Sequence, residues 1–154
     1  MEWSEVIAHP SLQNLPFKIE LNEYGQIVMT PAKNIHGRYQ LKIGSLLELQ
    51  LSDGEAMTEC SVQTTKGVKV ADVAWCSAKF IEKHGYETPY SRAPEICVEI
   101  ISPGNQPKEL QEKMTLYLEA GAKEVWLVAE SGKVEFYNNS GKISRSSYPV
   151  KITL

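Results

Sequence analysis

Two carboxylates interrupt runs that are otherwise apolar. In the segment EICVEII (95–101), alternate residues of an extended chain share a face. Cys97, Glu99 and Ile101 then lie on one side, and Ile96, Val98 and Ile100 on the other. In VKVADVAW (68–75), Val70, Asp72 and Ala74 share a face, and Asp is a poor strand residue. Such an acid is costly to desolvate unless it is paired or binds a cation. Two of them on neighbouring strands, turned to the same side, would make a hard-oxygen site for a divalent ion. The plainer alternatives are that Glu99 faces solvent at a sheet edge and that Asp72 ends its strand in a turn.

A lysine and a histidine break pattern in the same way. Placing residues 107–120 on a helix at about 100° per residue, with Leu110 at zero, clusters Met114, Tyr117, Leu118 and Gly121 near that direction. Lys113 falls inside this apolar arc at about 300°. It either snorkels to the edge, pairs with Glu109 one turn earlier, or has a partner beneath it. His36 begins a helical stripe with Tyr39, Ile43, Leu47 and Leu51 and so points inward. It is either a satisfied core histidine or a site histidine reaching a metal or a phosphate.

The elements that must position these groups follow from turns and caps. FKIEL (17–21) and QIVMTP (26–31) flank Asn22-Glu23-Tyr24-Gly25 and read as a hairpin. Asn34 can cap a helix running to about Leu51. Strands are expected at 56–65 and 68–76, joined at Lys66-Gly67. A short helix should start at Ser77 and stop at Gly85. Strand 95–101, a helix from about Pro107 to Ala120 and strand 123–129 form a right-handed crossover unit. Segments 133–138 and 142–147 read as an antiparallel tail. The whole is a mixed α/β (α+β) domain over 1–154, one twisted sheet flanked by helices.

Composition narrows the function. The chain has 154 residues, 42% hydrophobic and 23% charged, as a folded domain should. No apolar run approaches the ~20 residues of a membrane span. The first residues carry Glu2 and Glu5 where a secretory signal would carry basic charge, so neither a span nor a signal peptide is expected. Net charge is −3 with only three arginines, which argues against an extended basic surface. A local patch or a metal ion would still allow contact with phosphates. Cys60, Cys76 and Cys97 are widely spaced and lack zinc-ligand spacing, so they read as small buried residues, reduced in a cytoplasmic protein. No phosphate-binding loop, dinucleotide fingerprint or nucleophile elbow is present.

The succession VADVAW, PEICVEIISPGN and ELQEKMTLYLEAGAKEVWLV resembles the Uma-two family of restriction-endonuclease-like proteins, over about Phe17 to Val128. The carrying motifs are the hairpin 17–31 followed by an inward histidine, Val-Glu-x-x-Ser-Pro at 98–103, and Lys-x-x-x-Tyr-x-x-x-Gly at 113–121 leading into Glu-x-Trp at 124–126. The resemblance implies a PD-(D/E)XK nuclease fold: a mixed central sheet, helices on both faces and an acidic site at the strand ends. Asp72 matches the first acid, Glu99 the second and His36 the family's histidine. Glu20 lies near a recurrent acid of the first hairpin. Ala71 stands where the parent pattern has proline, and Ile101 where a nuclease lysine sits two residues after the second acid. In the Uma-two pattern that lysine lies on the following helix, and Lys113 matches it.

What this implies is a Mg²⁺- or Mn²⁺-dependent endonuclease acting on DNA. Asp72 and Glu99 would hold the metal, Lys113 would assist at the attacking water or the transition state, and His36 would contact metal water or phosphate. A homodimer, paired through the strand-like tail 133–154, is expected. The alternative is a catalytically inactive module of the same fold that binds nucleic acid or a protein.

Overall fold

Turn chemistry at Asn22–Gly25 folds the first strands onto each other. The Asn22 side-chain oxygen accepts the backbone N–H groups of Tyr24 and Gln26. The flanking strands β1 (Phe17–Leu21) and β2 (Ile27–Pro31) pair antiparallel as a separate two-stranded sheet. The computed structural model describes residues Met1 to Leu154. Before the hairpin lies a helix that the sequence pattern does not signal, α1 (Trp3–Ala8), which opens where the Glu2 N–H donates to the Glu5 carboxylate. It packs Trp3 and Val6 against Leu21, Val68 and Val70, fastening the hairpin to the rest of the molecule.

The helix α2 (Asn34–Gln50) begins one residue earlier than expected. Lys33 holds the capping position, Asn34 is already helical, and no side chain caps the end. Lys33 and Asn34 are exposed, so water can serve the first N–H groups. There follow β3 (Gly54–Thr64), β4 (Gly67–Ser77), α3 (Ala78–His84), β5 (Ile96–Ile100), α4 (Pro107–Glu119), β6 (Glu124–Val128), β7 (Val134–Asn138) and β8 (Gly141–Ile143). Ser77 caps α3 by accepting the Phe80 N–H, and Gly85 ends it with a positive φ of 58°. Gly67 has φ of 86°, and a Cβ there would lie 2.3 Å from the Leu21 carbonyl oxygen.

The six strands β3 to β8 form one sheet in chain order. Neighbours are antiparallel except β5 and β6, which run parallel and are joined through α4. One face packs Tyr39, Ile43 and Leu47 of α2 on Val73, Ile96, Val98 and Trp126. The other packs Met114 and Tyr117 of α4 on Ala74, Cys97 and Val125. The sheet is thus covered on both sides, as its apolar strands require. All three cysteines are buried and unpaired. No helix is long and apolar enough to cross a membrane.

Strand β8 is shorter than the expected 142–147. After Ile143 the chain leaves the sheet, because its serines find another acceptor. Ser146 Oγ, with the N–H and Oγ of Ser147, donates to the buried Glu124 carboxylate, which also accepts Trp126 Nε1–H. Tyr148, Val150, Ile152 and Leu154 then cover the α2 side of the core. The tail's apolar residues are thus partly buried against the core of the same chain.

This arrangement generates a prediction. Burial opposes ionisation of Glu124, but the serine and Trp126 hydrogen bonds outweigh it and hold the acid below its ordinary value. A lowered folded pKa contributes stability above the unfolded value of about 4.3 that is lost as pH falls through the folded one. Glu124→Gln should cost about 1–3 kcal/mol at pH 7 in urea unfolding. The gap to the parent protein should narrow when the same measurement is made near pH 4.

Candidate active site at the strand fork

Strands β4 and β5 pair over only three positions, ending at Val73 opposite Val98. One step further places Asp72 opposite Glu99, and there the strands part. The ladder is completed by side chains. Asp72 Oδ2 accepts the Ile100 N–H at 2.7 Å, and Glu20 Oε2, from β1, accepts the Val70 N–H at 2.7 Å. The opposite edge of β4 is also disturbed. Glu59 of β3 has φ of 53°, unusual for a residue with a Cβ. The Asp72 carbonyl accepts a hydrogen bond from the Gln40 amide, which also donates to the Glu59 carboxylate. The backbone at Asp72 is thereby released from regular pairing and held by α2.

Four elements deliver charge to this fork. Asp72 and Glu99 come from the central sheet and are 0% and 3% exposed. Glu20, from the hairpin, is 6% exposed. Lys113, from α4, binds Glu20 at 2.7 Å and Glu99 at 3.2 Å. Its apolar-arc position is thus explained by partners beneath it. Glu109, the alternative partner, serves instead in the capping box of α4. His36, in the first turn of α2, places Nε2 3.0 Å from Asp72 Oδ1, and its Nδ1 lies 3.5 Å from Ser102 Oγ. Nε2–H therefore donates to the carboxylate, and Nδ1 faces the serine hydroxyl. Thr30, Ala32 and Asn105 stand at the rim of the narrow cleft that these groups line.

Two members of the cluster escape the pattern of the sequence. Lys18 of β1 sends Nζ to 3.1 Å from Asp72 Oδ1 and 3.1 Å from Glu99 Oε2. Its only local signal is that it shares a strand face with Glu20, which is equally true of a solvent-facing lysine. Tyr117, which the helical wheel assigns to the apolar core, donates its hydroxyl to Glu99 Oε1 at 2.7 Å. The signal was present: Tyr117 follows Lys113 by four residues, so both reach the same acid from one helix face.

The environment pushes the two opposed acids in different directions. Burial opposes ionisation of Asp72, yet Lys18, His36 and the Ile100 N–H outweigh it and hold that carboxyl far below the ordinary range. Burial pushes Glu99 up, and Lys113 and Lys18 offset only part of the effect. Glu20 is also buried, but Lys113 and Lys18 bring it below its usual value. Burial works against the charge of Lys18, and Glu99, Asp72 and Glu20 outweigh it, so its ammonium is retained well above the usual lysine range. The result is a half-enclosed set of three acids, two ammonium groups and an imidazole.

Because these charges are buried, removing one leaves its partners stranded. Lys113→Met should lower stability by about 3 kcal/mol. Adding Glu20→Gln should restore much of that loss, because the acid left unpaired is then neutral. Urea unfolding of the two single variants and the double variant measures the coupling. Additive losses would show that the 2.7 Å contact carries no interaction energy.

Comparison with other proteins agrees with this geometry at the level of the fold. The crystal structure of a protein from Anabaena variabilis ATCC 29413, described as a putative nuclease belonging to DUF820, is similar with a TM-score of 0.67. The two share 20% identity, over 78% of this chain and 71% of the other. No curated protein matches this sequence. The family Uma2, described as putative restriction endonuclease, matches residues 3–150. The expected family resemblance thus extends over nearly the whole sequence, and the chain belongs to the Uma2 family.

Proposed function

We propose that this protein is a metal-dependent nuclease that hydrolyses phosphodiester bonds in DNA. The observation that carries the reading is the meeting of Asp72 and Glu99 at the fork. Their carboxylates face one position from which a single cation touches both, as the Lys18 ammonium does at 3.1 Å from each. Two hard-oxygen donors so placed suit Mg²⁺ or Mn²⁺. Asp72 and Glu99 would supply two oxygen ligands, with no third His, Cys, Asp or Glu side chain placed to join them, so water and substrate oxygens would have to complete the coordination. Held there by Asp72 and Glu99, such an ion would supply a water of lowered pKa and a Lewis acid for the phosphate.

The other groups have separable tasks in this reading. His36 holds Asp72 in orientation through Oδ1. Tyr117 fixes Glu99 through its hydroxyl. Lys113, anchored by Glu20 and Glu99, presents a positive charge where a phosphate's charge builds up in the transition state, or orients the attacking water. Anchoring on two acids keeps the ammonium in place before substrate arrives, so little reorganisation is needed during the reaction.

A second reading is a catalytically inactive module of the same fold that binds nucleic acid or a protein. One observation favours it: Lys18 already neutralises the acid pair. Cleavage separates the two. With Mg²⁺ or Mn²⁺, the purified protein should nick supercoiled plasmid DNA, and a chelator should stop it. Asp72→Asn and Glu99→Gln should each reduce the rate by about a hundredfold or more. Equal cleavage by the parent and both variants would remove these acids from the mechanism. Binding of DNA without any metal-dependent cleavage would favour the second reading.

A further inference from the structure

Lys18 is the one charged group of the cluster that comes from outside the central sheet and its two long covering helices without being an acid. It stands on β1, opposite Thr30 of β2, in a sheet of only two strands. Its Nζ lies 3.1 Å from Asp72 Oδ1, and 3.4 Å and 3.1 Å from the two oxygens of Glu99. The side chain is 9% exposed. An ammonium offers three donors, and here all three directions are used on the opposed acids. The atom therefore occupies the position from which a cation meets both carboxylates at once.

That placement has a consequence for any divalent ion bound by the same acids. An ion and an ammonium cannot both sit a few ångströms from the same oxygens without strong repulsion in a half-enclosed site. Lys113 has a second anchor, Glu20 at 2.7 Å, besides its 3.2 Å contact with Glu99, so it can give up Glu99 and still be held. Lys18 has no such second anchor in contact with its ammonium. Its four-carbon stem is flexible, and its cross-strand neighbour Thr30, on the same face of the hairpin, is only half-buried and stands at the rim of the cleft, so the stem can turn toward the mouth without displacing a core side chain. We infer that Lys18 is an internal counter-cation that competes with the divalent ion for Asp72 and Glu99, so that metal binding and release of Lys18 are one exchange. The inference rests on the proposed metal site. It adds that the acids are kept paired when metal is absent, and that Lys18 sets how much metal is needed.

The exchange makes a prediction of unusual sign. Removing a buried cation should weaken the metal-free protein yet tighten metal binding, since the apparent affinity rises with the fraction of sites already open. Mn²⁺ titration calorimetry on the purified protein, at neutral pH and low salt, tests this with Lys18→Met, Lys18→Arg and Asp72→Asn. Lys18→Met should bind Mn²⁺ at least about tenfold more tightly than the parent, and its melting temperature should rise more on adding Mn²⁺. Lys18→Arg keeps the charge and should show no such gain. A lysine with a merely structural role would lower stability without tightening the binding.

Equal or weaker Mn²⁺ binding by Lys18→Met would overturn the exchange while leaving the metal site intact, provided the parent binds Mn²⁺ and Asp72→Asn does not. Failure of both the parent and Lys18→Met to bind millimolar Mn²⁺ would overturn the metal site and the exchange together. Should Lys18→Met be unfolded alone, recovery of its circular dichroism with Mn²⁺ supports the exchange, and no recovery counts against it.

Discussion

Buried carboxylates need cations, and the placement of the hairpin, α2 and α4 around the sheet follows from that need. Asp72 and Glu99 face each other where β4 and β5 part. In a low-dielectric interior two adjacent acids repel and each resists desolvation. The chain answers with Lys18 from the hairpin, Lys113 from α4, an imidazole from α2 and a phenol from α4. None of these elements could shift far without leaving a charge unmatched. The cluster thus ties the small two-stranded sheet to the large one at the place where the chemistry is proposed.

The fork also explains how acids can sit inside a sheet at all. A regular ladder would leave no room for two carboxylates with their partners. Here side chains take over backbone roles: Asp72 accepts from Ile100, Glu20 accepts from Val70, and Gln40 serves the Asp72 carbonyl. Backbone groups are satisfied, and the carboxylates are oriented by the same bonds. Regularity resumes on the far side of the fork, from Val73 with Val98 onward, where apolar side chains pack against α2 and α4. A rigid sheet thereby presents a polar opening without a flexible loop carrying its acids, which suits chemistry that depends on fixed charge positions.

The short N-terminal helix has a part in this that its length conceals. Trp3 and Val6 seat the hairpin on Val68 and Val70, and the hairpin carries Lys18 and Glu20. Six residues cannot hold a helix by propensity alone. The apolar contact sustains α1, and α1 in turn holds the hairpin that supplies one acid and one ammonium.

Local spacing alone made much of this legible. Turn residues marked the hairpin, Ser77 and Gly85 bounded α3, and alternation exposed Asp72 and Glu99 as acids among apolar neighbours. The helical period turned Lys113 and His36 inward. These are short-range signals, carried by residues a few positions apart, and they survive without any knowledge of neighbours. The end of β8 and the start of α1 were not legible, because each depends on partners distant in the chain: Glu124 for the serines, Leu21 and Val68 for Trp3. Lys18 was hidden for the same reason. Its partner Glu99 lies 81 residues away, and a lysine on a strand edge has the same local pattern whether it meets water or an acid. Strand register and hairpin docking decided which, because only long-range packing brings a flexible cation to a buried carboxylate and makes that contact more favourable than hydration.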